Sequence, residues 1–528
     1  MNQILLFIGL VIILCLTIKP VGKKLPFPTL LIFIALGMLL GVNGPAHIDF
    51  SDYALTETVC STALLFIMFY GGFNTNIDRA KPVAVPAVLL STLGVVITAG
   101  ITGVFAHFAL GFDWIDGLLL GSVVASTDAA SVFSVLREHS LSLRGGTDSL
   151  LEVESGSNDP VAYMLTAVLA TLAAGGDINI PALLAKQIIL GVGLGLAIGW
   201  AAGAHATAEG AQTIFLFAVA IVAYALPSYL GGNGFLAVYL AGIVLGASDI
   251  TGKVEMAHFF DTLTEMAEMT IFFLLGLLVT PARLPQMLLP SLALMAFMLF
   301  VSRPIAVGVL LAPFKTNPRQ VALVSWAGLR GVASVVFGLF AVVAGVPGGH
   351  DLFDLVFVIA VSSIVVQGSL LPAVAKKLDM IDETGDVRRT FNDYRDEDGM
   401  SFVKLKVGAG HPFAGRSLAD IGSATDMLVV LVLRDGAHPV LPNGDTVIQE
   451  GDLLVMAAPT FEERAEVTLR EVTVTPHGRL AGQRLRDVPQ GKHPFIVVML
   501  KREGQTIIPD GDTLIYAGDE AVIATLAS

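Results

Sequence analysis

Residues 121–131 read Gly121-Ser-Val-Val-Ala-Ser-Thr-Asp-Ala-Ala-Ser131, and residues 152–160 read Glu152-Val-Glu-Ser-Gly-Ser-Asn-Asp-Pro160. Both lie in apolar runs of spanning length, yet both carry acids. A charge near the bilayer centre costs at least ~2.5–3.5 kcal/mol on insertion scales, so it faces the protein interior. Ala327-Gly-Leu-Arg-Gly-Val-Ala-Ser334 repeats the pattern around Arg330. Polar breaks at matching places in two halves point to two discontinuous helices crossing at the midplane, where freed carbonyls and helix ends bind ions. Small-residue helix packing would explain the glycines and alanines, but not Asp128 and Arg330 inside the breaks. With Glu154, Asp159 and Arg303, these make three acids and two bases in the spans. Interhelical ion pairing alone leaves one carboxylate over.

In the second stretch, Ser155 and Asp159 stand one turn apart on the same helical face. Asn158 is adjacent. These are hard oxygen ligands, suited to an alkali cation or a proton and poor for zinc or copper. Pro160 has no N–H, so the carbonyl of Gly156 loses its helical donor.

The rest of the chain fits a membrane protein with a soluble tail. Of 528 residues, 54% are hydrophobic and 14% charged, with mean hydropathy +0.75. This excludes a soluble enzyme, a disordered chain and a disulfide scaffold; the net charge of -14 excludes a nucleic-acid polymer as partner. Charge density is about 10% over residues 1–377 and about 26%, the ordinary soluble value, over residues 378–528. Thirteen apolar runs recur in the first part, centred near residues 11, 34, 65, 97, 126, 164, 192, 218, 240, 271, 300, 332 and 364. The first starts at Met1 without a charged lead and reads as a retained helix. Alternate loops hold Lys19, Lys23, Lys24, Arg79, Lys81, Arg137, Arg144, Lys253, Lys315, Arg319, Lys376 and Lys377; the other loops hold Arg283 and Lys186. Positive residues stay cytoplasmic, so the N-terminus is expected outside and the tail in the cytosol. Cys15 and Cys60 read as reduced, buried thiols. His47, His107, His139, His205, His258 and His350 fall at loops or span ends and read as structural rather than as pH sensors.

The tail is a repeat. Gly415-Arg-Ser-Leu418 aligns with Gly482-Gln-Arg-Leu485, Pro442-Asn-Gly-Asp-Thr446 with Pro509-Asp-Gly-Asp-Thr513, and Gly451-Asp452 with Gly518-Asp519, all 67 residues apart. The Asn-Gly and Asp-Gly steps predict hairpins. The expected organisation is an all-α polytopic membrane domain over 1–377, an acidic linker over 378–400, and small α+β cytosolic domains over 401–460 and 461–528.

Ser126-Thr-Asp-Ala-Ala-Ser-Val-Phe133, Glu154-Ser-Gly-Ser-Asn-Asp-Pro160, Ser302-Arg-Pro304 and Gly328-Leu-Arg-Gly331 resemble the monovalent cation/proton antiporter superfamily, in its sodium/proton exchanger branch with a paired Asn-Asp. The resemblance implies thirteen helices in inverted repeats, a homodimer in a bacterial inner membrane, and elevator-type alternating access. It makes Asp159 the ion-binding carboxylate and Asn158 its polar neighbour. Thr127 (through its backbone), Asp128 and Ser155 are implied as further ligands or supports, so that the transported cation is the only metal expected. Glu154 is implied as the buried partner of Arg303, and Arg330 as the charge of the second crossing helix. Tyr70, in Phe69-Tyr-Gly-Gly-Phe73, stands where relatives often have an acid, which bears on cation preference. The tail units, with strands Val429-Val-Leu-Val-Leu-Arg434 and Phe495-Ile-Val-Val-Met-Leu-Lys501, resemble the C-terminal (TrkA-C-like) domain of regulators of K+ conductance, the second copy being the more divergent. That implies gating of transport by a small cytosolic ligand of nucleotide type. No cofactor is expected. No Rossmann fingerprint precedes the units, and Gly191-Val-Gly-Leu-Gly195 lies in a span, where it serves helix packing.

The reading is therefore electroneutral exchange of K+ for H+, with Na+(Li+)/H+ exchange as the same-fold alternative. One buried carboxylate binds a proton or a cation, not both, and the family resemblance implies that Asn158 in place of a second acid gives one charge each way. A ligand-gated cation channel lacks a Thr-Val-Gly-Tyr-Gly-like filter. An intramembrane aspartyl hydrolase on Asp128 and Asp159 lacks a Gly-Asp element in the spans.

Overall fold

The structure is a computed structural model. It describes residues 9–18 and 30–382 except 43, 45–46, 76, 139–140, 206–211, 249 and 251–252. In the tail it describes 400–408, 411, 413–419, 428–434, 438–440, 442–459, 467–474, 480, 482–488, 495–502, 505–507 and 513–526. Lys19, Lys23, Lys24, His139, most of the linker (383–399) and the 509–512 turn step lie outside these residues, as do the side chains of Arg79 and Arg137. The chain divides into two compact units, Met1–Tyr394 and Arg395–Ser528.

The first unit is helical. In chain order its helices are α1 (Gly9–Ile18), α2 (Leu30–Leu40), α3 (Tyr53–Asn74), α4 (Lys81–Leu110), α5 (Trp114–Val123), α6 (Ala129–Glu138), α7 (Thr147–Ala173) and α8 (Ile180–His205), then α9 (Gln212–Tyr229), α10 (Gly234–Ala247), α11 (Lys253–Leu278), α12 (Leu284–Phe314), α13 (Pro318–Trp326), α14 (Val332–Val343) and α15 (Gly349–Lys377). Among the described residues, α3, α4, α8, α9, α12 and α15 are each long and apolar enough to cross a membrane alone. Side chains mark several starts. Asp52 accepts from the Leu55 N–H at 2.9 Å, Asn233 from Leu236 at 3.0 Å and Asn317 from Arg319 at 3.0 Å. Pro160 lies within α7 without ending it. Three long helices each carry one π-helical turn: Leu90–Gly94 in α4, Met298–Ser302 in α12 and Ile364–Gly368 in α15.

The helices pack in two groups. One is α2, α3, α8, α9, α10 and α11; the other is α4 to α7 with α12 to α15. Contacts of α7 and α14 against α3 and α10 join them. Close approach within the first group depends on glycine. A Cβ on Gly195 would lie 2.6 Å from the Ala237 carbonyl of α10 and one on Gly191 3.0 Å from the Asn233 carbonyl, so these two glycines serve helix packing, while Gly193 faces open space. The larger apolar cluster runs through both groups, with Phe69, Phe260, Phe337 and Phe353 fully buried, and a second cluster lies within the second group. Cys15 and Cys60 are buried free thiols.

The second unit holds β1 (Met400–Lys406), β2 (Leu428–Arg434), β3 (His438–Val440), β4 (Leu453–Pro459), β5 (Val467–Thr473), β6 (Phe495–Arg502), β7 (Gln505–Ile507) and β8 (Glu520–Leu526). They form two antiparallel sheets of the same topology, β1-β4-β2-β3 and β5-β8-β6-β7. Even the bulges correspond, at Val429/Leu431 and Val497/Met499. In the first sheet Arg434 forks onto Asp452, Nε to Oδ1 and Nη2 to Oδ2 both at 3.0 Å, and donates to the Val447 carbonyl at 3.0 Å. In the second, Arg502 forks onto Asp519 at 2.9 and 2.7 Å and reaches the Leu514 carbonyl at 2.8 Å. Gly451 and Gly518, one residue before each acid, both take φ +96°, which an L side chain rarely adopts. The arginines hold the Asp452 and Asp519 carboxyls below the usual carboxylate range.

Candidate ion-exchange site

The two breaks are visible as geometry. Helix α5 ends at Val123 and α6 begins at Ala129; α13 ends at Trp326 and α14 begins at Val332. The non-helical stretches lie against each other, with the Asp128 N–H donating to the Leu329 carbonyl at 2.9 Å. Breaking a helix frees carbonyls that need donors. Arg330 supplies them: its Nη1 donates to the Ala125 carbonyl at 2.8 Å and to the Ser126 carbonyl at 2.7 Å. Its own N–H donates to Ser363 Oγ at 3.0 Å on α15. Ser363 in turn donates to Gln367 Oε1 at 2.5 Å, and Gln367 Nε2 to the Trp326 carbonyl at 3.0 Å, which caps the end of α13. Gly331 is required at the crossing, because a Cβ there would lie 1.9 Å from Asp128 Oδ2.

Helix α7 grips the first break. The Ser126 hydroxyl donates to Asp159 Oδ1. The Asn158 amide donates to the Thr127 hydroxyl, and the Ser155 hydroxyl to the Thr127 carbonyl at 2.6 Å. Asp128 is held from within its own stretch. Its carboxylate accepts from the Ser131 hydroxyl at 2.6 Å and the Ser131 N–H at 3.2 Å. One turn before Asn158, Glu154 Oε2 accepts from Arg303 Nη2 at 2.8 Å, with both side chains buried. The structure thus brings Ser155 and Asn158 onto Thr127, and the Asp159 carboxylate onto the neighbouring Ser126. It sets Asp128 and Arg330 at the crossing beneath, and Glu154 with Arg303 as a separate pair.

Asn158 is fully buried, and its Oδ1 has no hydrogen-bond partner among the described residues. A buried acceptor without a donor suits a cation rather than another N–H. The Asp159 carboxylate next in the chain is 7% exposed, and both residues carry hard oxygens of the kind alkali cations take as ligands.

Several residues here escape a linear reading. Ser126 is one more hydroxyl among small residues until the fold sets it on Asp159. Gly331 is one glycine among many. Ser363 and Gln367 could have been found, as polar residues four apart in an otherwise apolar run. Tyr239 of α10 packs its ring against Gly156, where a Cβ would lie 2.8 Å from it, and nothing local in either stretch announces the contact.

The family model described as sodium/hydrogen exchanger, transmembrane, matches residues 9–377. The chain belongs to the sodium/hydrogen exchanger family. The TrkA-C domain model matches twice, at residues 402–460 and 469–528. Among curated exchanger relatives, the K(+)/H(+) antiporter NhaP2 of Shewanella sp. (strain MR-4) is 34% identical over 467 residues, covering 86% of this chain and 80% of its own. The K(+)/H(+) antiporter NhaP of Alkalimonas amylolytica is 33% identical over 467 residues, covering 85% and 81%. Among solved structures, the sodium proton antiporter MjNhaP1 from Methanocaldococcus jannaschii aligns with TM-score 0.62 at 22% identity, covering 71% of this chain and 99% of its own. That likeness shows the fold: a mostly helical exchanger, here followed by a TrkA-C region. Exchangers are transporters, so the channel and hydrolase readings fall away.

Proposed function

We propose that this exchanger carries K+ against H+ across a bacterial inner membrane, one charge each way, with Asp159 binding either passenger. The observation that carries the proposal is the buried Asp159 carboxylate held by Ser126, next in the chain to Asn158, whose Oδ1 has no partner among the described residues. A carboxylate shut away from water needs a positive companion or a proton. A cation satisfies Asp159 and Asn158 Oδ1 together; a proton neutralises Asp159 alone. If the site crosses only when neutral, the two passengers must alternate. Thr127, Ser155 and Asp128 support the site, Arg330 balances the carbonyls of the broken helix, and Glu154 with Arg303 ties α7 to α12.

K+ is favoured over Na+ by the potassium antiporter relatives and by a tail of the kind found in regulators of K+ conductance. In the wider proposal thirteen spans, counting α5 with α6 and α13 with α14 as one crossing each, place the tail in the cytosol. The group containing α3 and α10 is the dimer scaffold, and the group containing α7 and α14 moves as the elevator body. The tail gates the cycle on binding a small ligand.

Proton flux into vesicles, followed with a pH dye under K+, Na+, Rb+ and Li+ in turn, tests this. The expected order puts K+ first, with no current driven by voltage. Asp159→Asn is expected to abolish exchange for every cation while leaving the detergent-solubilised protein monodisperse. Retained exchange in that variant would remove Asp159 from its role.

A further inference from the structure

After α15 the chain runs through a short segment that is stitched to the starts of α7 and α13. Leu143 and Ile381 form an antiparallel bridge. The Arg144 N–H donates to the Met380 carbonyl at 2.9 Å, and the Asp382 N–H to the Ser142 carbonyl at 2.8 Å. Asp379 takes φ +55°, a left-handed conformation that aspartate tolerates better than most side chains. It turns the chain from the last helix into the bridge. Its carboxylate then meets two arginines from different loops: Arg144 Nη1 at Oδ1 and Arg319 Nη1 at Oδ2, each at 3.0 Å. Gln320, beside Arg319, donates to the Gly145 carbonyl at 3.3 Å.

Both loops lead straight to the site. Residues 142–144 turn through Gly145 and Gly146, both at positive φ, into α7, which carries Ser155, Asn158 and Asp159. Arg319 is the second residue of α13, whose far end opens into the break that holds Arg330. Leu143 and Met380 of the bridge segments share one buried cluster with Leu150 of α7, Leu323 of α13 and Leu371 of α15.

An exposed ion pair by itself contributes little. Here, however, one carboxylate separates two guanidiniums. Without it, two like charges face each other across the joint, and the Gln320–Gly145 bond is left to work against their repulsion.

We infer that Asp379 is a positioning residue of the exchange cycle: it fixes the starts of α7 and α13 to each other and to the stem of the tail. This deepens the exchange reading and rests on it. A state of the tail that pulled on the stem would act on the two helices that frame Asp159.

The test uses the full chain in vesicles, with Cys15→Ala and Cys60→Ala as the parent background. Leu143 and Ile381 are a directly opposed, non-hydrogen-bonded pair, the spacing at which two cysteines can join. Asp379→Ala is expected to lower the maximal K+/H+ rate by about threefold or more, with the apparent KM for K+ nearly unchanged. Asp379→Glu is expected to retain most of the parent rate. Adding Leu143→Cys with Ile381→Cys to Asp379→Ala, and oxidising with copper phenanthroline, is expected to restore the rate; dithiothreitol is expected to remove the recovery. A purely structural role predicts no such reversible rescue. The inference is overturned if Asp379→Ala exchanges at the parent rate, or if cross-linked and reduced proteins run alike. Should Asp379→Ala fail to assemble, Arg144→Gln and Arg319→Gln replace it, and parent rates in both overturn the inference equally. A parent silent toward every cation sinks the exchange reading, and this inference with it.

Discussion

Two of the molecule's arginine–carboxylate arrangements stand in contrast. In the tail, Arg434 with Asp452 and Arg502 with Asp519 are closed forks: two parallel contacts each, a third bond from the arginine to a carbonyl, and a backbone N–H onto the same carboxylate, from Gln449 at 2.8 Å and Tyr516 at 2.9 Å. In the membrane unit, Arg303 meets Glu154 through a single contact, and Arg303 Nε and Glu154 Oε1 have no hydrogen-bond partner among the described residues. The better-satisfied pairs thus sit where water could help, and the looser one where it cannot. A fork with every donor matched holds one geometry and suits a fold that only has to persist. A one-point pair with a donor and an acceptor in reserve fixes the spacing of α7 and α12 less tightly than a fork would.

The contrast can be broken at its loose end first. Glu154→Gln leaves the Arg303 charge buried without compensation and is expected to cost about 3–5 kcal/mol, read as a lowered thermal midpoint in detergent. Combining it with Arg303→Gln should recover much of that loss, because the isolated charge goes too; a double variant as unstable as the single would show that the pair does more than balance charge. In the tail, Arg434→Lys keeps the charge but not the fork. The expected cost is about 1–3 kcal/mol, seen as faster hydrogen exchange in β2 and β4 of the full chain.

The tail pairs also carry a pH signature. Since folding holds the Asp452 and Asp519 carboxyls low, their stabilisation is present above the ordinary aspartate value of 3.8 and is lost as pH falls through the lower folded values. Acid titration of tail hydrogen exchange should show that loss in the parent and a shallower one in Asp452→Asn; equal slopes would mean the fork contributes nothing. The smallest effect separates the two copies. Arg502 lies over the Tyr516 ring at 4.3 Å, a position held by Gln449 in the first repeat. Tyr516→Gln should cost no more than about 1 kcal/mol and bring the exchange rates of the two sheets closer together.

Much of this was readable in the chain because charge is conspicuous in an apolar background. Asp128, Glu154, Asp159, Arg303 and Arg330 announce themselves by their cost, and the two breaks by their hydroxyls and glycines. The tail repeat shows in its turn dipeptides. Partners that meet only through the crossing stay silent: Ser126 on Asp159, Gly331 under Asp128, Ser363 behind Arg330. Their residue types are common in helices, and only the third dimension sets them apart. The joint at Asp379 is hidden for the same reason, since Arg144 and Arg319 are 175 residues apart and each looks like one more basic loop residue.

The π-helical turn over Met298–Ser302 ends immediately before Arg303. Such a turn holds one residue more than the ordinary winding, and one residue is worth about 100° around a helix axis. Excising a single residue there would let the backbone close into regular coils and swing everything downstream around the barrel of the helix, carrying the guanidinium off the face that meets Glu154. In a surface loop the loss of one residue shortens a tether; at this point it works as a rotation.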